Sequence, residues 1–301
     1  MALPKPAQRR VFRPARRVSW GTRIFATLVF LLAIGAVAAF VVLVLPTQVA
    51  ALSQTEATEL RTAREASAAV AVSADALWTD MASKGSLSLP PDQLAKDLAL
   101  ARSTEKAADA ALGHVQAAQA ALAQIDGIPF QLHAPAAVVT DRPALLHLEK
   151  ALGAAIKLAH GATLQLTIAQ HVTQDAQTLA GPLNQSLANR DWTRASRTAD
   201  GIQQDLKSQE TASADLEALL DPAWIAWMDG MLSYATAAQQ YGLNTAAGQT
   251  LTAQQQARAM AAATDRTNAA LAAAQAGAAA WQLKTVKPIA DTLHKELTAG
   301  S

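Results

Sequence analysis

The chain has 301 residues, of which 51% are hydrophobic, 16% charged and 4% aromatic, with no cysteine and a formal net charge of +1. About a quarter of the positions are alanine, which has the best helix propensity and buries little area. Long helices are therefore favoured, and the composition argues against an all-β or Rossmann-type domain. The absence of cysteine removes disulfide frameworks, thiolate nucleophiles, Fe–S clusters and cysteine zinc fingers.

The near-neutral total hides a polarised chain. Seven basic residues (Lys5, Arg9, Arg10, Arg13, Arg16, Arg17 and Arg23) precede the first acid, Glu56, leaving 18 basic against 24 acidic residues beyond it. Pro4, Pro6 and Pro14 among those charges mark residues 1–23 as a disordered basic head, expected in the cytoplasm. Ile24 to Leu45 carries no charge and spans about 33 Å as a helix, enough for a hydrocarbon core. The positive-inside rule then puts residues 46–301 outside the cytoplasm of a bacterial inner membrane, with Arg16, Arg17, Trp20 and Arg23 at the membrane interface. A cleaved signal peptide, cut after Val49-Ala50-Ala51, is the rival reading, and the long apolar run favours a retained signal anchor. The basic head can also be read as an anionic-lipid or nucleic-acid patch; a topology determinant is the simpler account. No second run of comparable apolar length follows.

Past Pro46 the periodicity is helical. Positions 56, 60, 63, 67, 70, 74, 77 and 81 step by four and three, apolar except at Glu56 and Ser67, and predict a helix ending near Lys84-Gly85. A second helix is expected from Pro91-Asp92 to Asp126, stopped by Gly127, with Leu98, Ala108, Leu112, Val115 and Leu122 on its inner face; the two form an antiparallel hairpin. An irregular connection with Pro129, Pro135 and Pro143 follows, with Ala137 to Thr140 as its only strand-like stretch. A third helix, starting at Asp141-Arg142-Pro143 with Asp141 or a neighbour as cap, is then expected to kink or break at Gly181-Pro182. Asn189-Arg190-Asp191 turns into a fourth helix, Trp192 to about Leu220, and Asp221-Pro222 opens a fifth that ends near Tyr241. A loop from Gly242 to Thr250 leads to a last helix to Leu297, bent at Pro288. The fold expected is all-α: one transmembrane helix, then an elongated antiparallel bundle of long alanine-rich helices.

Chemistry is sparse. No Glu-x-x-His pair of the kind used by di-iron bundles occurs among the six histidines, and they read as lone polar or half-buried residues. No nucleophile elbow, zincin or phosphate-loop motif occurs, and the carboxylates fall at helix starts or on faces read as exposed. No catalytic group, metal or cofactor is expected. Large apolar side chains concentrate in one place: Trp224, Trp227, Met228 and Met231 share a helical stripe, read as core closure, as a partner or ligand contact, or as an interfacial contact with the membrane.

The layout of basic head, anchor and external helices resembles the external part of bacterial sensor proteins with four-helix-bundle input domains. It also resembles the membrane-fusion adaptors of efflux pumps. The return span of the first and the lipoyl-like and barrel segments of the second are not found, so the chain is assigned to neither. The function expected is a structural, scaffold or accessory role in an envelope complex. Its partners would be the bilayer through residues 24–45 and an envelope protein, with self-association open and no nucleic acid. The alternative is a small-molecule-binding bundle without a signalling domain of its own.

Overall fold

The computed structural model describes residues 20–84, 90–128, 136–214 and 222–300, with the side chains at 22, 23, 80–84, 136–139, 222 and 223 left aside. The expectations for the basic head, Arg16, Arg17, the side chains of Arg23 and Met81, and the helix end after Ala214 with Leu216 lie outside those residues.

All-α architecture is what the described chain adopts. The helix α1 (Trp20–Ala39) passes through a π-helical turn, π1 (Phe40–Val44), into α2 (Leu45–Lys84). Then come α3 (Pro91–Asp126), α4 (Ala136–Thr178), a second π-helical turn, π2 (Leu179–Leu183), and the short α5 (Asn184–Ala188). The chain finishes with α6 (Trp192–Ala214), α7 (Pro222–Ala246), α8 (Thr250–Thr285) and α9 (Lys287–Gly300). The first of these helices is long and apolar enough to cross a membrane, and Phe25, Phe30, Leu31 and Leu32 stand exposed on it.

Two four-helix sets share the long α4. At the end next to α1, α2 packs on α3, α3 on α4, and α9 on both α4 and α2. At the far end α4 packs on α6, α6 on α7, and α7 on α8. Cross-helix bonds give one direction: His160 to Glu105 and Gln119 to Glu149 pair rising with falling numbers, so α3 and α4 are antiparallel; α2 and α3, joined by a short connection, packed along their length and bonded at His114–Glu59, are antiparallel too. The short connection between α6 and α7 and their close packing make them antiparallel as well, with Gln203 bonded to Gln239 across them.

The spacing-derived stripes account for these contacts. Positions 56, 60, 63, 67, 70, 74 and 77 of α2 are all buried. Because α4 serves both sets it is covered on most sides: Leu145, Leu148, Leu152, Leu158, Leu166 and Ile168 lie among the largest fully buried side chains. Leu112, expected inside, is half-buried, while Ala108, Ala111 and Val115 face fully inward; the inner arc of α3 is lined by smaller residues than its leucines suggest.

Several boundaries differ from expectation for physical reasons. The third helix starts at Ala136, not at an Asp141 cap, and takes in both the strand-like Ala137–Thr140 and Pro143. Proline there costs one early backbone bond, to the Val139 carbonyl, and the packing of Ala144, Leu145 and Leu148 offsets it. The fifth helix continues past Gly242, which faces the Trp192 ring; a Cβ there would make ordinary contact with it at 3.7 Å, so the position stays helical without needing glycine. Trp192 also meets Tyr241 edge-on. The chain turns instead at Ala247–Gln249, where Gly248 takes the left-handed φ of 72°. At Gly181-Pro182 the helix widens into π2 and continues, and Val286 separates α8 from α9 two residues before Pro288. The Asn189–Asp191 turn holds, with Arg190 at φ 59° and Asp191 Oδ1 accepting the Arg194 backbone N–H.

Histidines tie the helices together. His114, His147, His160, His171 and His294 each share a hydrogen bond with a carboxylate on another helix, respectively Glu59, Glu296, Glu105, Asp205 and Asp75. Half-exposed pairs of this kind contribute little stability each, and they fix register more than they add free energy.

With alanine lining so much of the interior, the few large side chains carry most of the buried area. Leu148→Ala is expected to cost about 3–5 kcal/mol and the half-buried Leu112→Ala about 1–2 kcal/mol, measured by denaturant unfolding. Equal costs would mean that the α3 register is wrong.

Candidate functional site

The apolar stripe of α7 is the densest cluster of large side chains outside the apolar N-terminal helix. Trp224, Trp227, Met228 and Met231 are all buried, at 2–6% exposure, and the two indoles meet edge to face with ring centres 6.3 Å apart. Helical spacing puts the four on one face, and α6 and α8 close over it. On the α8 side the approach is close: a Cβ on Gly230 would lie 2.5 Å from Thr267 Oγ1 and 3.0 Å from its Cα, so only glycine fits this crossing.

Beside that crossing the packing opens. A groove of about 320 Å³ lies between the end of α4, π2, α7 and α8, lined by Ala176, Leu179, Ala180, Trp227, Met231 and Leu271 with Asn184, Tyr234, Thr264, Thr267 and Asn268 at its polar positions. Trp227 and Met231 thus border open space, whereas Trp224 and Met228 belong to the interior. The Tyr234 hydroxyl donates to Asn184 Oδ1 at 2.7 Å, and burial pushes its pKa up against the lowering effect of that bond.

One residue along α4 from Ala176, on the side facing α6, sits a buried acid. Asp175 is 8% exposed, and its Oδ2 has no hydrogen-bond partner among the described residues. Burial, the Asp205 charge and the hydrogen bond to Asp205 push its pKa from 3.8 up to about 7, so the Asp175 carboxyl donates while the Asp205 carboxylate accepts. Asp205 is also bonded to His171 Nδ1 at 3.1 Å and to Gln209 Nε2 at 3.4 Å. The sequence expectation that carboxylates occupy helix starts or exposed faces fails here, and again at Glu56 and Asp97, both buried. Glu56 is pushed up by burial and by Asp141, with Arg64 acting the other way. The missed signal was position: Asp175 falls on the inward series of Val172, Leu179 and Leu183, as Glu56 falls on that of Leu60 and Ala63.

Among the described residues no group of three or more histidine, cysteine, aspartate or glutamate side chains could hold a metal ion. The arrangement offers shape, an aromatic wall and neutral polar groups. No known family model, curated protein or solved structure matches the chain.

The Asp175 proton gives a pH dependence with a definite sign. Between about pH 4 and about 7 the folded chain holds a proton that the unfolded chain has lost, so stability falls as pH rises through this window and levels off above it. Asp175→Asn keeps the donor without the titration. The melting temperature of the variant, relative to the parent, is expected to rise from acid to pH 8; an offset that stays constant with pH would show that Asp175 does not titrate there.

Proposed function

We propose that the chain is a single-pass protein of a bacterial inner membrane. It is anchored by residues 24–45 with its N-terminus in the cytoplasm, and its extracytoplasmic bundle has a structural, scaffold or accessory role in an envelope complex. The observation that carries this reading is the unbroken helix from Trp20 through π1 to Lys84. A segment whose apolar side chains stand exposed runs directly into a core helix of the bundle, and α2 alone extends about 60 Å. A flexible linker would let the bundle swing; a continuous helix holds it at a set height and angle, as a scaffold requires. The seven basic residues before the apolar run support the orientation. The work envisaged is binding rather than catalysis, because the buried polar groups described above do not assemble a nucleophile with a base.

A second reading, a small-molecule-binding bundle, is favoured by the groove against Trp227.

The absence of cysteine makes the orientation directly testable by single-cysteine labelling. Asn189→Cys, at the exposed turn after α5, is expected to react with a membrane-impermeant maleimide in intact spheroplasts, and Ser19→Cys only after permeabilisation; the reverse pattern would overturn the topology. For the scaffold role, purification of the full chain in mild detergent should return a second envelope protein in stoichiometric amount. Recovery of the chain alone as a monomer would overturn it.

A further inference from the structure

The groove between α4, π2, α7 and α8 has a chemical character that narrows what can occupy it. None of its eleven lining residues is an acid, a lysine, an arginine or a histidine. The nearest acid along α4, Asp175, is turned toward Asp205 on α6. An ion entering the groove would give up water without meeting a counter-charge, which is costly.

Its apolar walls are the indole of Trp227, the thioether of Met231 and the side chains of Leu179 and Leu271. A tryptophan and a methionine side by side suit a flat, polarisable body. The polar groups are neutral. Thr264 and Thr267 donate their hydroxyls to the carbonyls of Met260 and Ala263, so toward the groove they can only accept. Asn184 uses its Oδ1 to accept from Tyr234, leaving its amide N–H groups to donate. Asn268 adds a second amide on the opposite wall.

One wall is also the place where α4 departs from regular geometry. Leu179 and Ala180 belong to π2, and Asn184 follows it directly. A π-helical turn inside a long helix is uncommon and is frequently found at functional sites. The volume of about 320 Å³ stands at the small end of ligand sites and suits about ten to fifteen non-hydrogen atoms.

We infer that the groove binds an uncharged small molecule with a flat cyclic body and one hydrogen-bonding oxygen, of the phenol or cyclic-ketone class, packed against the part of Trp227 that borders the groove, with its oxygen between Asn184 and Asn268. This rests on the ligand-binding reading above.

The test uses the full chain in lipid nanodiscs, labelled with 5-fluorotryptophan, with the Trp227 resonance assigned through Trp227→Phe and empty nanodiscs as the blank. Neutral 2-naphthol is the probe and 2-naphthalenesulfonate its charged counterpart. The expected result is a saturable shift of the Trp227 signal with a Kd below about 1 mM for 2-naphthol and binding at least tenfold weaker for the sulfonate. Ala180→Leu, which fills the groove from an exposed position, should abolish the shift at an unchanged melting temperature. Should that variant not fold, Asn268→Leu, also at an exposed position, decides in its place by weakening 2-naphthol at least fivefold. Equal binding of both probes, or preference for the sulfonate, overturns the inference and leaves the ligand-binding reading standing. Binding of neither probe, or binding that the folded variants leave unchanged, overturns both.

Discussion

Close approach through small side chains is the constraint on which the whole architecture rests. Ala63 and Ala74 of α2, Ala101, Ala108 and Ala111 of α3, and Ala151, Ala155, Ala159 and Ala162 of α4 are essentially without solvent contact. Such residues let helix axes lie near one another, but each buries little area, so cohesion depends on a minority of leucines, isoleucines and tryptophans. The shared α4 follows from this constraint. A helix with alanine on several faces can be packed from several directions at once, and α4 takes α3 along most of its length, α9 near its start at His147 and α6 in its second half at His171. At the α7–α8 crossing the same logic reaches its limit, with Gly230 against Thr267.

An interior built this way is tolerant of polar groups at its margins and places them where they set register. Glu56, Ser67, Asp97, Thr104, Gln165 and Asp175 all lie in the buried face of their helices. Ser67 satisfies itself by donating to the Ala63 carbonyl at 2.6 Å, and Asp97 accepts from Gln93 at 2.7 Å. Asp175 is accommodated differently, by holding a proton against Asp205. The histidine–carboxylate pairs complete the pattern on the half-exposed rims, each joining two helices that would otherwise meet only through small apolar side chains. Five such pairs specify which helix faces which more sharply than an alanine surface can, because a one-turn slip would separate every pair by about 5 Å.

The groove by Trp227 arises where these two habits meet. Alanine at 176 and 180 leaves space that larger residues would fill, π2 widens the helical turn carrying that wall, and the large side chains of α7 supply the opposite wall. Its neutral lining and the buried proton at Asp175 are consistent with each other: a charge on this part of α4 would be poorly compensated on either side.

The sequence by itself determined the helical content, the apolar N-terminal run, the inward series of α2 and the limits of α3, because each depends on local propensity and on periodicity within one helix. An irregularity at Gly181-Pro182 and the turn at Asn189–Asp191 were also legible, since proline, glycine and a capping aspartate act within a few residues. Tertiary structure alone decided that the helix carries on through Gly242 to Ala246, and that Pro143 is carried inside α4 by the packing that follows it. It alone decided that each paired histidine meets a carboxylate from another helix, and that Trp227 and Met231 border a groove while Trp224 and Met228 do not. A period of 3.6 tells which residues share a face; which face of which other helix they meet depends on contacts between residues more than two hundred positions apart, as between Asp75 and His294.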